Sequence, residues 1–212
     1  MKKAAEPPVP FPDIHRVRLE ADTVLHKIHH RSFAADGFNP GKGRPTRFAP
    51  LARADGSHVA TAYAAVSLEC AAHETIFHEI PYDASFKQVR FRTIADLRYS
   101  MVRTTAELTL AGLFEVDLNR WQLTRADLID TLASEYERTA RWALAIHDAH
   151  ADTQGLVWTS RRCDPDRACV LFGDRITAGA LAVLSTRSFA DDDALLSELA
   201  AYGRRAGITL TM

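Results

Sequence analysis

"VATAYAAVSLECAAHETIF", residues 59–77, changes its period half-way. The first part, Val59–Ala65, reads as a strand. Its small residues Ala60, Ala62 and Ala64 fall on one face, where another layer can pack closely. Ser67 then offers a hydroxyl to the first free N–H groups of a helix, expected over about residues 68–79. On that helix one acid stands out. The neighbours of Glu74 at three and four positions are Cys70, Ala71, Phe77 and His78, mostly apolar or small. A carboxylate on such a stripe is costly to bury without a partner. Two arrangements satisfy it: a rim position paired with an arginine, the commoner outcome, or a functional acid in a cleft. Glu69 and Glu79 have no comparably apolar surroundings.

Upstream lies "GFNPGKGRPTRFAP", residues 37–50, with three glycines, three prolines and the cations Lys42, Arg44 and Arg47. Such density of glycine and proline excludes helix and sheet interior. It is a basic loop, and on its own reads as readily as a solvated surface loop as a ligand site.

Working outward, "DTVLHKIHH" (22–30) reads as a short strand or helical turn. Residues 86–92, 97–103, 155–160, 168–172 and 180–187 read as strands. Capping patterns at Thr124–Asp127 and Ser134–Glu137 open helices, the second running to about Ala149 with Tyr136, Ala140, Ala143 and Ile146 or His147 on one stripe. "DDDALLSELAAYGRR" is a helix with an acidic first turn. Strands and helices mix without strict alternation, which predicts a single α+β domain with mixed sheets and flanking helices. That domain is expected over residues 22–212, behind a loose, proline-rich arm over 1–21.

The totals are those of one globular domain: 212 residues, 47% hydrophobic and 25% charged. A net charge of −1 gives no general field for nucleic acid. The start has no apolar signal-peptide core, and no run is long enough to span a membrane. Cys70, Cys163 and Cys169 make no CxxC and no even framework, so a reducing cytoplasm is expected. No metal site is expected. In "HETIFHE" His73 and His78 are five apart, about 140° around a helix, and cannot share an ion. His147 and His150 read as solvated or capping residues. "GFNPGKG" lacks P-loop spacing, and there is no GxSxG elbow.

The ordered set "TRFAP…TAYAAVSLECAAHETIF…GLVWTSRR…VLFGDR" resembles the RES-domain family, the toxins of RES–Xre toxin–antitoxin systems. The resemblance covers about residues 22–187. It places the family's arginine on Arg47, its tyrosine on Tyr63, its glutamate on Glu74, eleven residues later, and its serine on Ser160. Departures are Lys27 where the family usually has arginine, Thr46 where it has glycine and Ala49 where it has asparagine. The resemblance implies a fold similar to ADP-ribosyltransferases and cleavage of the nicotinamide–ribose bond of NAD, by hydrolysis or phosphorolysis. Transfer of ADP-ribose to a protein and an inactive nucleotide- or partner-binding module are the alternatives. It implies that Glu74 stabilises positive charge on the ribose, Arg47 holds a phosphate, and Ser160 bonds the ligand. Tyr63 stacks on nicotinamide or bonds the ribose, and Lys27 and Arg161 are further phosphate candidates. Read without the family, Tyr63 is as readily a core tyrosine, and Ser160 a turn serine. The implied partner is an Xre-type helix-turn-helix antitoxin, with no direct nucleic-acid or membrane binding.

Overall fold

Tyr63 and Ala64 are adjacent, yet they contribute to different cores, because both lie on one strand and its side chains alternate between the two faces. A computed structural model describes residues 6–81 and 83–211. In chain order the elements are β1 (Arg16–Leu19), β2 (Val24–His30), β3 (Leu51–Ala52), β4 (His58–Val59), β5 (Thr61–Ala65), α1 (Leu68–Thr75), β6 (Gln88–Arg90), β7 (Leu97–Thr104) and β8 (Leu108–Gly112). There follow α2 (Glu115–Arg120), α3 (Arg125–Leu128), α4 (Tyr136–Ala149), β9 (Gly155–Thr159), β10 (Arg167–Phe172), β11 (Leu181–Ser188), α5 (Asp193–Arg205) and β12 (Thr209–Thr211). Eight strands make one sheet in the order β1-β8-β9-β10-β5-β2-β7-β11. The β8–β9 pair is parallel and the other neighbours are antiparallel. The single α+β domain with a mixed sheet is as expected.

One face of the sheet carries the larger core, in which Phe48, Phe77, Trp142, Trp158 and Phe189 are fully buried or nearly so. Helix α1 packs there against β2, β5 and β10, and α4 against β3. The other face is covered by Ala35, Phe38 and Phe114 over Leu25, Ala64, Leu110 and Leu171. β9 approaches β10 so closely that a Cβ on Gly155 would lie 2.2 Å from the Val170 carbonyl oxygen. Only glycine fits that position. No helix among the described residues is long and apolar enough to cross a membrane.

Several expectations change. From Phe11 onward the expected loose arm is packed: Phe11 sits edge-on to Trp121 at 5.2 Å and Trp142 at 5.8 Å, Ile14 is buried, and β1 pairs with β8. Residues 1–5 of that arm lie outside the described residues. α1 stops at Thr75, and the 86–92 strand is cut to β6 by a 3₁₀ turn at Phe91–Thr93. Thr124 stands at the N-cap of α3, where its pattern places it, and Asp127 Oδ2 accepts from its backbone N–H and its hydroxyl, both at 2.8 Å. Ser134 does not cap α4, because it lies inside a 3₁₀ turn, Ala133–Glu135, that precedes the helix.

Candidate active site

The basic loop is not loose. Asn39 pairs with Thr61 of β5 through both backbone bonds, at 2.7 and 2.9 Å. Its side-chain oxygen accepts the N–H groups of Gly41 and Lys42, at 3.1 and 2.7 Å. Gly41 and Gly43 take φ of +96° and +95°, which side chains rarely adopt. Further along, the Tyr63 hydroxyl accepts the Phe48 N–H at 2.8 Å and bonds Thr46 Oγ1 at 3.0 Å. Thr139 of α4 donates to the Arg47 carbonyl. Strand β5 and helix α4 thus hold Arg47 from two sides, with its guanidinium 5.8 Å from the Trp158 ring.

Helix α1 brings the acid. Ser67 accepts the Cys70 N–H at 3.0 Å and starts the helix where its sequence pattern places it. Two turns on, Glu74 Oε2 accepts from Arg47 Nη1 at 2.9 Å, and Oε1 accepts from Ser160 Oγ at 2.7 Å. The Ser160 hydroxyl oxygen itself accepts the N–H groups of Arg162 and Cys163, at 3.3 and 3.2 Å. With its lone pairs engaged, its one proton is directed at Glu74.

Both charges are buried, with the Arg47 and Glu74 side chains 5% and 8% exposed. Burial alone would raise the Glu74 pKa; the positive charge of Arg47, with the bonds from Ser160 and Arg47, outweighs it and holds the carboxyl below its usual range. Burial likewise works against the Arg47 charge, and Glu74 overrides it, so the guanidinium is held above its usual range.

The pair forms part of the wall of a cavity of about 520 Å³. Tyr63, His78 and Tyr136 line it, and Lys42 and Arg44, both exposed, stand at its surface. The rings of His78 and Tyr136 stack at 6.5 Å. Burial lowers the His78 pKa, so its imidazole is neutral at neutral pH. Burial pushes the Tyr63 phenol up to about 12, so it stays protonated.

A sequence profile described as the RES domain matches residues 24–192, most of the chain. The chain belongs to the RES-domain family. No curated protein matches it. Among solved structures, a chain in the crystal structure of the M. tuberculosis MbcT–MbcA toxin–antitoxin complex has the same fold. Its TM-score is 0.58 at 16% identity, covering 87% of this chain and 92% of that one.

Of the residues that the RES resemblance singled out, the structure brings Arg47, Glu74 and Ser160 into one bonded group and sets Tyr63 on the cavity wall beside them. Four are placed otherwise than those roles suggest. Arg47, expected to hold a phosphate, has its guanidinium bonded to Glu74. Ser160 is 1% exposed and is not among the cavity-lining residues; it holds Glu74. Arg161, the next residue, donates to the Thr131 carbonyl at 2.8 Å and does not line the cavity. Lys27 lines it, but its ammonium donates to the carbonyls of Ala35 and Gly37, and burial lowers its pKa to about 8. The expectation that Glu74 pairs with an arginine at the rim is half met: the arginine is there, but the pair is buried in the wall. His78 and Tyr136 were missed as wall residues. His78 lies beyond the end of α1, in the turn that follows it, so the helical spacing from Glu74 carried no signal for its place in the wall. His73 lines a different cleft from His78, because α1 ends between them and the chain turns away.

Arg47→Met should expose this balance. The Glu74 pKa lies below its free value of 4.5, so its stabilising contribution is present above 4.5 and lost as pH falls through the lowered value. Without Arg47, burial prevails and the pKa rises above 4.5, so acid should relieve the variant rather than harm it. Breaking one side of a buried pair costs about 3–5 kcal/mol. Urea midpoints at neutral pH should show that loss, and the gap to wild type should narrow below pH 4.5. A gap independent of pH would contradict the account.

Proposed function

We propose that the chain is a toxin that cleaves the nicotinamide–ribose bond of NAD. The observation that carries this reading is Glu74: a carboxylate held ionised in the wall of a cavity, with cations at the cavity's surface and aromatic rings beside it. The cavity is of ligand-binding size. Cleaving this bond develops positive charge on the ribose, in a transition state like that of glycoside cleavage. Nicotinamide leaves from an already cationic state, so no general acid is required. An anionic carboxylate that cannot serve as an acid at neutral pH is the group such a reaction uses, and it acts by electrostatic stabilisation. Arg47 and Ser160 fix both of its oxygens. Tyr63, His78 and Tyr136 offer surfaces for a flat heterocycle. Arg47 is engaged with Glu74, so the pyrophosphate falls to Lys42 and Arg44. The toxin reading rests on the RES family and on a structural relative described as part of a toxin–antitoxin complex.

The purified chain incubated with NAD should release nicotinamide. Glu74→Gln keeps the shape and removes the charge; turnover should fall by about 10²–10³. Glu69→Gln, on the same helix but paired with Arg205 at 2.8 Å, should be unaffected. Equal turnover in wild type and Glu74→Gln would remove Glu74 from the chemistry. Free ADP-ribose among the products indicates hydrolysis, and a mass shift on an added protein indicates transfer.

Lys42→Ala and Arg44→Ala should each weaken NAD binding several-fold at low salt, and less as salt rises, since exposed charges are screened. Arg47→Lys should lower turnover more than affinity, because an ammonium cannot reproduce the guanidinium's planar geometry against Glu74. Affinity losses confined to Arg47→Lys would return the pyrophosphate to that residue.

A partner follows from the same reading. Expressed alone, the chain should arrest growth, and a helix-turn-helix protein from the adjacent reading frame should relieve the arrest by binding it. Harmless high-level expression of the free chain would count against the toxin assignment.

A further inference from the structure

Two of the cysteines meet although 70 and 163 are far apart in sequence. Cys70 stands on α1 one turn before Glu74, and Cys163 lies in the turn that follows Ser160. Their Sγ atoms and a carboxylate oxygen of Asp166 all lie within 4.8 Å of one another. Cys163 Sγ and Asp166 Oδ2 are 4.0 Å apart. Neither cysteine is in a disulfide. Tetrahedral zinc, with bonds near 2.3 Å to sulfur and 2.0–2.2 Å to oxygen, sets its donors roughly 3.5–3.8 Å apart. The three donor atoms therefore stand within about 1.3 Å of the separations that a bound ion would set, a gap that binding would have to close.

The surroundings suit a cation. A second cleft, of about 290 Å³, is lined by Cys163, Asp166 and His73. Cys70, fully buried, closes the group from the protein side. His73 is three residues after Cys70 on α1; it is buried, and its Nδ1 has no hydrogen-bond partner among the described residues. Two cationic side chains also line the cleft and have other partners: Arg205 pairs with Glu69, and Arg162 donates to the Ile80 carbonyl. Two thiols alone would suit a disulfide. A carboxylate converging on the same point adds nothing to a disulfide and is a third ligand for a metal.

We propose that Cys70, Cys163 and Asp166 bind a thiophilic divalent cation of the Zn²⁺ class, with its fourth position open to the cleft beside His73. Each thiol releases its proton to solvent as its sulfur ligates the ion. The cation ties the first turn of α1 to the turn after Ser160. These segments already share the Ser67–Asp166 hydrogen bond, and the Cys163 N–H bonds Ser160 Oγ. It thus staples together two of the three pieces of chain that meet at Glu74. The site does not depend on the reaction performed in the main cavity.

Cobalt reports such a site directly. The reduced full chain titrated with Co²⁺ should bind one ion, with thiolate-to-cobalt charge transfer in the near ultraviolet and tetrahedral bands in the visible. Zn²⁺ should displace it and raise the thermal midpoint. Cys163→Ser, at a half-buried position that tolerates the change, should lose the charge-transfer band and most of the midpoint shift. Asp166→Asn should weaken Co²⁺ binding while keeping the sulfur band at higher concentrations. Cys169→Ser, in the core of the opposite sheet face, should keep both signals. The proposal is overturned if wild type shows no such band at saturating Co²⁺, or if the band survives unchanged in Cys163→Ser.

Discussion

A buried arginine–glutamate pair is the constraint on which the rest of this structure depends. Arg47 comes from a loop and Glu74 from a helix, and neither charge survives burial without the other. Their meeting at 2.9 Å requires loop and helix to be placed together to within a fraction of an ångström. Strand β5 does this. Upstream of it the loop is tied back at Asn39–Thr61 and at Phe48–Tyr63; downstream it runs into the cap of α1. Ser160 follows β9, which lies one strand beyond β10 from β5. The sheet order is thus what brings three distant segments to one carboxylate.

Such a pair is a poor means of stabilising a protein. Apolar side chains of similar volume in its place are commonly neutral or better. What the pair does, and apolar packing cannot, is keep a carboxylate ionised while largely shielded from water. Electrostatic preorganisation has this physical form: the donors are in place before charge develops, so none has to reorganise when it does. The cost in stability and the proposed chemical use rest on the same atoms.

Much of this was legible in the sequence for local reasons. The Ser67 cap, the strand before it and the odd acid on an apolar stripe are short-range patterns, and all three stand. That Arg47 and Ser160 belong with Glu74 was legible only through the ordered family motif, since no local pattern links residues so far apart. β8 was missed because its alternation, Leu108–Thr109–Leu110, lasts only three residues before Ala111 and Gly112, which are weak strand formers. β1 was missed because proline-rich sequence before it suggested an arm, whereas Phe11 finds two tryptophans that only the tertiary fold assembles. Arg161 was a phosphate candidate beside Ser160, but leaving a strand, consecutive residues turn to different sides. The meeting of Cys70, Cys163 and Asp166 had no local signal either, because half of it lies on α1 and half in the turn after β9.

The basic loop shows the same limit from the other side. Lys42, Arg44 and Arg47 lie within six residues and have similar chemistry, so composition treats them as one patch. The backbone separates them. Left-handed glycines at Gly41 and Gly43 and the Asn39 turn keep Lys42 and Arg44 at the surface. Then the bonds from Tyr63 to Thr46 and Phe48 pull the chain down, and Arg47 goes with it into the wall. Depth separates them: a shielded cation sets the charge state of one acid, and two solvated cations stay at the cavity's surface. A tyrosine hydroxyl that could have read as a ligand contact is what makes that division.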